Sequence, residues 1–129
     1  MMFHTFHSQE ERQEFGGSYF IEFQYCELDA NLGIKMIVDA IRMWKNNSLY
    51  IYGDDDNDFF SYYKDIFTGG TYANGKTGVV DLCGINYYSV EETKCVLEKL
   101  KHTHLPDQEI LVRWLEKARE YSGFYILGL

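Results

Sequence analysis

Residues 54–58 read Asp-Asp-Asp-Asn-Asp, four carboxylates in five positions, with Asp65 further along the chain. Asp54, Asp56, Asp58 and Asp65 match positions 1, 3, 5 and 12 of a calcium-binding loop. Position 6 of that loop needs a glycine for its sharp turn, and here it is Phe59; the bidentate glutamate is also missing. What remains is a solvated acidic turn that can present charge. A second motif, GTYANGKT over Gly70–Thr77, fits the G-x-x-x-x-G-K-T phosphate loop. Such a loop grips phosphate only between a strand and a helix, whose first N–H groups point at the anion. The residues that follow, GVVDLC, are β-branched and strand-like, and those before it, DIFTG, resemble a helix end. Asn74-Gly75 is instead a strong hairpin signal, since both residues tolerate the positive φ of a type I′ turn. The segment therefore reads as a hairpin of TYA against KTGVV.

Other chemistry finds less support. His4 and His7, with His102 and His104, could supply four imidazoles, but zinc needs them to converge. They fall in an N-terminal segment and a connector, and are read as surface histidines. There is no G-x-S-x-G, no cysteine in a Cys/His setting, and no singled-out pair of carboxylates. The chain reads as a binding protein and not an enzyme, with no cofactor and no metal expected.

Net charge is −8, and it is lopsided: residues 1–60 carry eleven acidic and four basic side chains. That balance disfavours nucleic acid and anionic membranes as partners, because both require a basic footprint. It suits a basic macromolecule drawn in by long-range attraction. Three cysteines, Cys26, Cys83 and Cys95, show no framework spacing and read as reduced thiols of a cytoplasmic protein. No apolar run approaches the roughly 18 residues of a membrane helix, and no export signal is read at the N-terminus.

The elements that must position these residues follow from periodicity. The length of 129 residues suits a single domain spanning 1–129, with residues 1–17 loosely ordered or forming a short helix. Alternation in SYFIEFQY (18–25) predicts a half-buried strand, with Tyr19, Ile21, Phe23 and Tyr25 on one face and Glu22 and Gln24 on the other. A helix over 30–45 follows from Ile34, Ile37, Val38, Ile41 and Trp44, capped by Asp29. SLYIYG (48–53) reads as a strand, residues 54–67 as a helix or helical loop, and 77–83 and 84–89 as strands. Ser89 and Glu92 form a capping box opening a helix near 90–101. Asp107 is the expected cap of a last helix carrying Ile110, Leu111, Trp114, Leu115, Ala118 and Tyr121, stopped by Gly123. The apolar ending GFYILGL reads as a strand buried on both faces. Together these give an α+β fold, a mainly antiparallel or mixed sheet with three or four helices.

The acidic turn lies within LYIYGDDDNDFFSYY (49–63), an acidic and aromatic segment. Aromatics supply contact area and carboxylates supply steering and pairing with Arg or Lys. The C-terminal half, GINYYSVEETKCVLEKLK and LPDQEILVRWLEKAREYSGFYILGL, resembles immunity proteins of bacterial contact-dependent growth inhibition systems over residues 84–129. The resemblance implies a small bacterial toxin inhibitor that neutralises a cognate toxin domain, often a nuclease, through tight protein–protein interaction. The expected partner is thus a basic protein toxin domain, bound by Asp54, Asp55, Asp56 and Asp58, with Tyr50, Tyr52 and Tyr62, and Glu10, Glu11 and Glu14 beside them. Two alternatives stay open. One is a small ligand-binding domain or enzyme with an aromatic pocket; the other is an acidic DNA mimic that inhibits a nucleic-acid enzyme.

Overall fold

The last residues of the chain run through the middle of its sheet. In the computed structural model, which describes residues 1–29 and 44–129, Phe124–Leu127 forms the strand β6. It pairs antiparallel with β1 (Phe20–Tyr25) on one side and β5 (Ile85–Tyr88) on the other. A strand with neighbours on both edges and cover on both faces favours apolar side chains, which suits the buried FYIL. Outside β1 lies β2 (Leu49–Tyr52), and outside β5 lie β3 (Gly70–Tyr72) and β4 (Thr77–Gly78). The order is β2-β1-β6-β5-β3-β4, every pairing antiparallel. Four helices complete the described residues: α1 (Gln9–Gly16), α2 (Asp56–Tyr63), α3 (Val90–Leu100) and α4 (Gln108–Ala118). The fold is α+β, as its periodicities imply, and its sheet is purely antiparallel. The helix expected over 30–45 falls almost wholly outside the described residues.

One sheet face carries the main core. Ile21, Phe23, Tyr25, Leu49, Ile51, Phe124 and Ile126 pack there against Phe59 and Tyr63 of α2, Val96 and Leu100 of α3, and Leu111 and Leu115 of α4. The apolar stripe of α4 follows the expected spacing. Ser89 caps α3 by accepting the Glu92 N–H at 3.1 Å. Gly123 stands at φ 90°, where a Cβ would run into the Tyr88 carbonyl.

Several expectations are corrected. The strand 20–25 is buried on both faces, not half-buried, because it is an interior strand with β2 and β6 as neighbours. The N-terminal residues are docked: Met2, Phe3 and Phe6 are buried, and Phe3 sits edge-on to Phe23 and Phe59. Only Thr77–Gly78 of the stretch 77–83 is strand. Beyond it the Asn86 side chain, not a ladder, takes the Asp81 N–H at 2.8 Å. Asp107 does not cap α4 with its side chain; it holds φ 56°, and its carboxylate accepts the Met2 N–H. The hairpin at Asn74-Gly75 forms, with Thr71 opposite Thr77. Its turn spans three residues, and only Gly75 has positive φ, so it is not type I′. No phosphate-loop helix follows Thr77. Among the described residues no helix is long and apolar enough to cross a membrane.

Candidate partner interface

The acidic turn grows out of the edge strand. After Tyr52 the chain winds into a 3-10 turn, Gly53–Asp55, and then into α2. Asp56 and Asp58 fall in the first turn of α2, where carboxylates are favoured by the helix dipole. Asp55 stands at the N-cap position of the helix without capping it by its side chain, and Asp54 lies before it in the 3-10 turn. Phe59 and Tyr63 face the core, which turns Tyr62 outward at 50% exposure.

Helix α1 is fixed beside this turn by its underside. Ser8 caps it, accepting the Glu11 N–H at 3.1 Å. The one cation of the helix, Arg12, is buried with its guanidinium 5.4–5.9 Å from the rings of Phe20, Trp44 and Tyr50. With Arg12 beneath, Glu10, Glu11 and Glu14 are exposed; the Glu11 carboxylate also takes the His7 N–H. The chain leaving α1 then crosses the start of the acidic turn. Tyr19 accepts the Gly53 N–H on its carbonyl at 2.8 Å, and its ring lies where a Gly53 side chain would be. Tyr52 meets Phe15 at 5.8 Å and Tyr19 at 5.6 Å, both edge-on. Phe15 and Tyr19 remain 52% and 47% exposed. An aromatic trio thus joins the end of α1 to the start of the acidic turn.

Electrostatics set this surface apart. Among the described residues, none of Glu10, Glu11, Glu14, Asp54, Asp55, Asp56 or Asp58 is in an ion pair; the pairs that form lie elsewhere. His4, beside Phe15, has its pKa lowered, chiefly by burial and then by the N-terminal ammonium, with Asp55 opposing both.

The expected contact residues separate into two groups. Asp54, Asp55, Asp56, Asp58, Tyr52 and Tyr62 stand on the turn and α2, and Glu10, Glu11 and Glu14 on the neighbouring helix. Tyr50 does not belong with them. It is 0% exposed, and its backbone bonds His4 in both directions at 2.8 and 2.9 Å, which covers the outer edge of β2. Its hydroxyl is held well above the usual phenol range, first by burial and then by Glu22, so it stays protonated and donates.

Glu22, expected on an exposed face, is buried as well. It accepts from Gln24 and Ser48 at 2.8 Å, from the Trp44 N–H at 3.0 Å and from the Tyr50 hydroxyl at 3.3 Å. These bonds anchor the stretch after Trp44, whose φ of 68° is unfavourable for a bulky residue. Phe15 and Tyr19 are the exposed aromatics of this surface that sequence reasoning missed: Tyr19 shares the alternation of Ile21 and Phe23 and reads as part of the strand, which begins only at Phe20.

The metal-site candidates of the sequence do not come together among the described residues. Asp54, Asp56 and Asp58 are spread over a 3-10 turn and a helix, and His102 and His104 lie exposed in the α3–α4 connector. Among the described residues no three His, Cys, Asp or Glu side chains gather as a metal site. Compared with protein-family models, curated proteins and solved structures, the chain matches none of them.

Proposed function

We propose that this chain is a stoichiometric inhibitor of the immunity-protein kind, which holds a basic toxin domain, a nuclease above all, on the surface formed by α1 and residues 52–58. The observation that carries the reading is a cluster of carboxylates that form no ion pair among the described residues, set beside exposed aromatic rings. Folding gains little from crowding four aspartates, since like charges repel. A basic partner would supply the missing counter-charge, while Phe15, Tyr19, Tyr52 and Tyr62 would give the desolvated area that anchors interfaces. A nuclease active site is built to receive phosphates, and a row of carboxylates would occupy it by occlusion. The resemblance of residues 84–129 to immunity proteins points the same way, although those residues would form the scaffold and not the contact.

The test is affinity capture with two baits, the parent chain and a variant with Asp54, Asp55, Asp56 and Asp58 all changed to Asn. A basic protein retained by the parent, lost from the variant, and inhibited at one equivalent of the parent would support the reading. The same proteins on both baits, or only acidic ones, would end it.

A further inference from the structure

A cleft of about 380 Å³ opens between the stretch Asn46–Leu49 and α4. Its apolar wall is a stack of three rings. Tyr25 lies between Trp114, with centroids 4.0 Å apart and planes 8° apart, and Tyr121, at 4.6 Å and 10°. With both faces covered, Tyr25 can turn only an edge to the cleft. Its hydroxyl donates to the Trp114 carbonyl at 2.9 Å, and the Trp114 indole N–H donates to the Asn47 carbonyl at 2.9 Å, so the wall is rigid and spans both sides. Tyr121 is the most accessible of the three, at 36%.

The charge beside this wall runs against the rest of the molecule. Arg113 and Lys117, one turn apart on α4, both line the cleft and both are exposed. Among the described residues neither takes part in an ion pair. In a chain of net charge −8, the lining of this cleft holds two cations and no carboxylate; Glu120 acts on Tyr25 from outside the lining, and the two cations beside buried aromatic surface form a local anion-attracting spot. Asn46 and Asn47 face them across the cleft with exposed side chains. A space of this size, mostly apolar with a few convergent polar groups, is of the class that holds small organic ligands.

We propose that this cleft binds a small planar aromatic molecule carrying one anionic group. The ligand's ring face lies against the ring edges of the wall, because the positive edge of one aromatic attracts the negative face of another. The anionic group is taken by the Arg113 guanidinium and the Lys117 ammonium, and a guanidinium can grip phosphate or carboxylate with two parallel bonds. The site is separate from the acidic surface above, and neither reading requires the other.

The test titrates the full chain with two charged probes, adenosine 5′-monophosphate and indole-3-acetate, and their uncharged counterparts, adenosine and indole. The Trp114 indole N–H resonance reports occupancy. At least one charged probe is expected to saturate and to bind about tenfold or more tightly than its neutral counterpart, as loss of a charge-assisted bond implies. Which one saturates tells whether the site takes phosphate or carboxylate. Arg113→Gln and Lys117→Gln, both at exposed positions, are each expected to weaken that probe about tenfold. Absence of saturation by either charged probe, equal binding of a neutral counterpart, or undiminished binding by both variants would overturn the proposal.

Discussion

Along α3 and α4 several surface charges carry their own counter-charges, Arg113 and Lys117 beside the cleft excepted. Glu91 reaches Lys94 at 3.5 Å, Glu98 reaches Lys101 at 3.1 Å, and Arg119 reaches Glu116 at 3.2 Å, all within single helices. Along α1 and the turn into α2, seven carboxylates form no ion pair among the described residues. The nearest cation of α1, Arg12, is turned inward onto aromatic rings. Intrahelical pairs stabilise a fold weakly and steer nothing at long range, because each cancels its own field. A cluster without counter-ions does the reverse: it costs a little through repulsion and projects an attractive field toward any cation. Aromatic exposure follows the same division. Phe15, Tyr19 and Tyr62 are exposed on the acidic side, whereas α3 exposes no large apolar side chain. Unpaired charge and exposed apolar area thus stand together at one edge, whereas several charges along α3 and α4 are paired, and the proposed partner would bind the first.

The sharpest way to break that contrast is at its apolar centre. Tyr19→Ala is expected to weaken binding of the basic partner by about 2 kcal/mol, the scale of an interface anchor. The melting temperature should hardly change, since the ring is half exposed where it meets Tyr52 and Gly53. Titration calorimetry alongside thermal unfolding reads both; a fall in stability with affinity intact would make Tyr19 a structural residue only.

Next in size is the charge itself. Changing Asp54, Asp55, Asp56 and Asp58 together to Asn should slow association about tenfold at low ionic strength and flatten its dependence on salt. Neutralising both members of the pairs Glu91–Lys94, Glu98–Lys101 and Glu116–Arg119 together is the control, with no expected change in association rate because net charge is kept and their fields largely cancel. Equal slowing by both sets, seen by stopped flow, would erase the distinction between the two regions.

A third variant separates contact from support. Tyr50→Phe removes one donor from the buried Glu22 carboxylate, and should cost about 1 kcal/mol of stability while leaving affinity unchanged. Urea unfolding gives the first quantity; a loss of affinity larger than the loss of stability would return Tyr50 to the interface.

The smallest effect is expected from pH. His4 has a lowered pKa in the folded chain, so below its ordinary value of 6.5 the unfolded chain takes up the proton first. Stability should therefore decline as pH falls from 6.5 to the depressed folded value, and His4→Gln should remove that part of the slope. A slope unchanged by the substitution, in urea midpoints between pH 7.5 and 5.5, would assign it to other groups.

Much of the fold was legible because its signals are local. The alternation of residues 20–25, the Ser89 cap and the stripe of α4 each declare an element within a few residues. What escaped depends on partners distant in sequence. Glu22 looks solvent-facing until β6, which begins 102 positions later at Phe124, and β2 enclose its strand. Tyr50 looks like an exposed strand aromatic until His4 pairs along its edge. Asp107 has the composition of a cap, but its carboxylate is claimed by Met2 from the other end of the chain. The same holds at the interface: the crowded aspartates are visible in the sequence, whereas Phe15 and Tyr19 join them only because α1 folds back onto Tyr52 and Gly53.

The central claim is that a positively charged protein is held on the edge built from α1 and residues 52–58. Its most direct test is hydrogen exchange on the chain alone and saturated with the captured basic partner. Added protection is expected at Glu14–Tyr19 and Gly53–Asp58, with none along Val90–Ala118. Protection confined to the paired surface of α3 and α4, with the acidic turn unchanged, would contradict it.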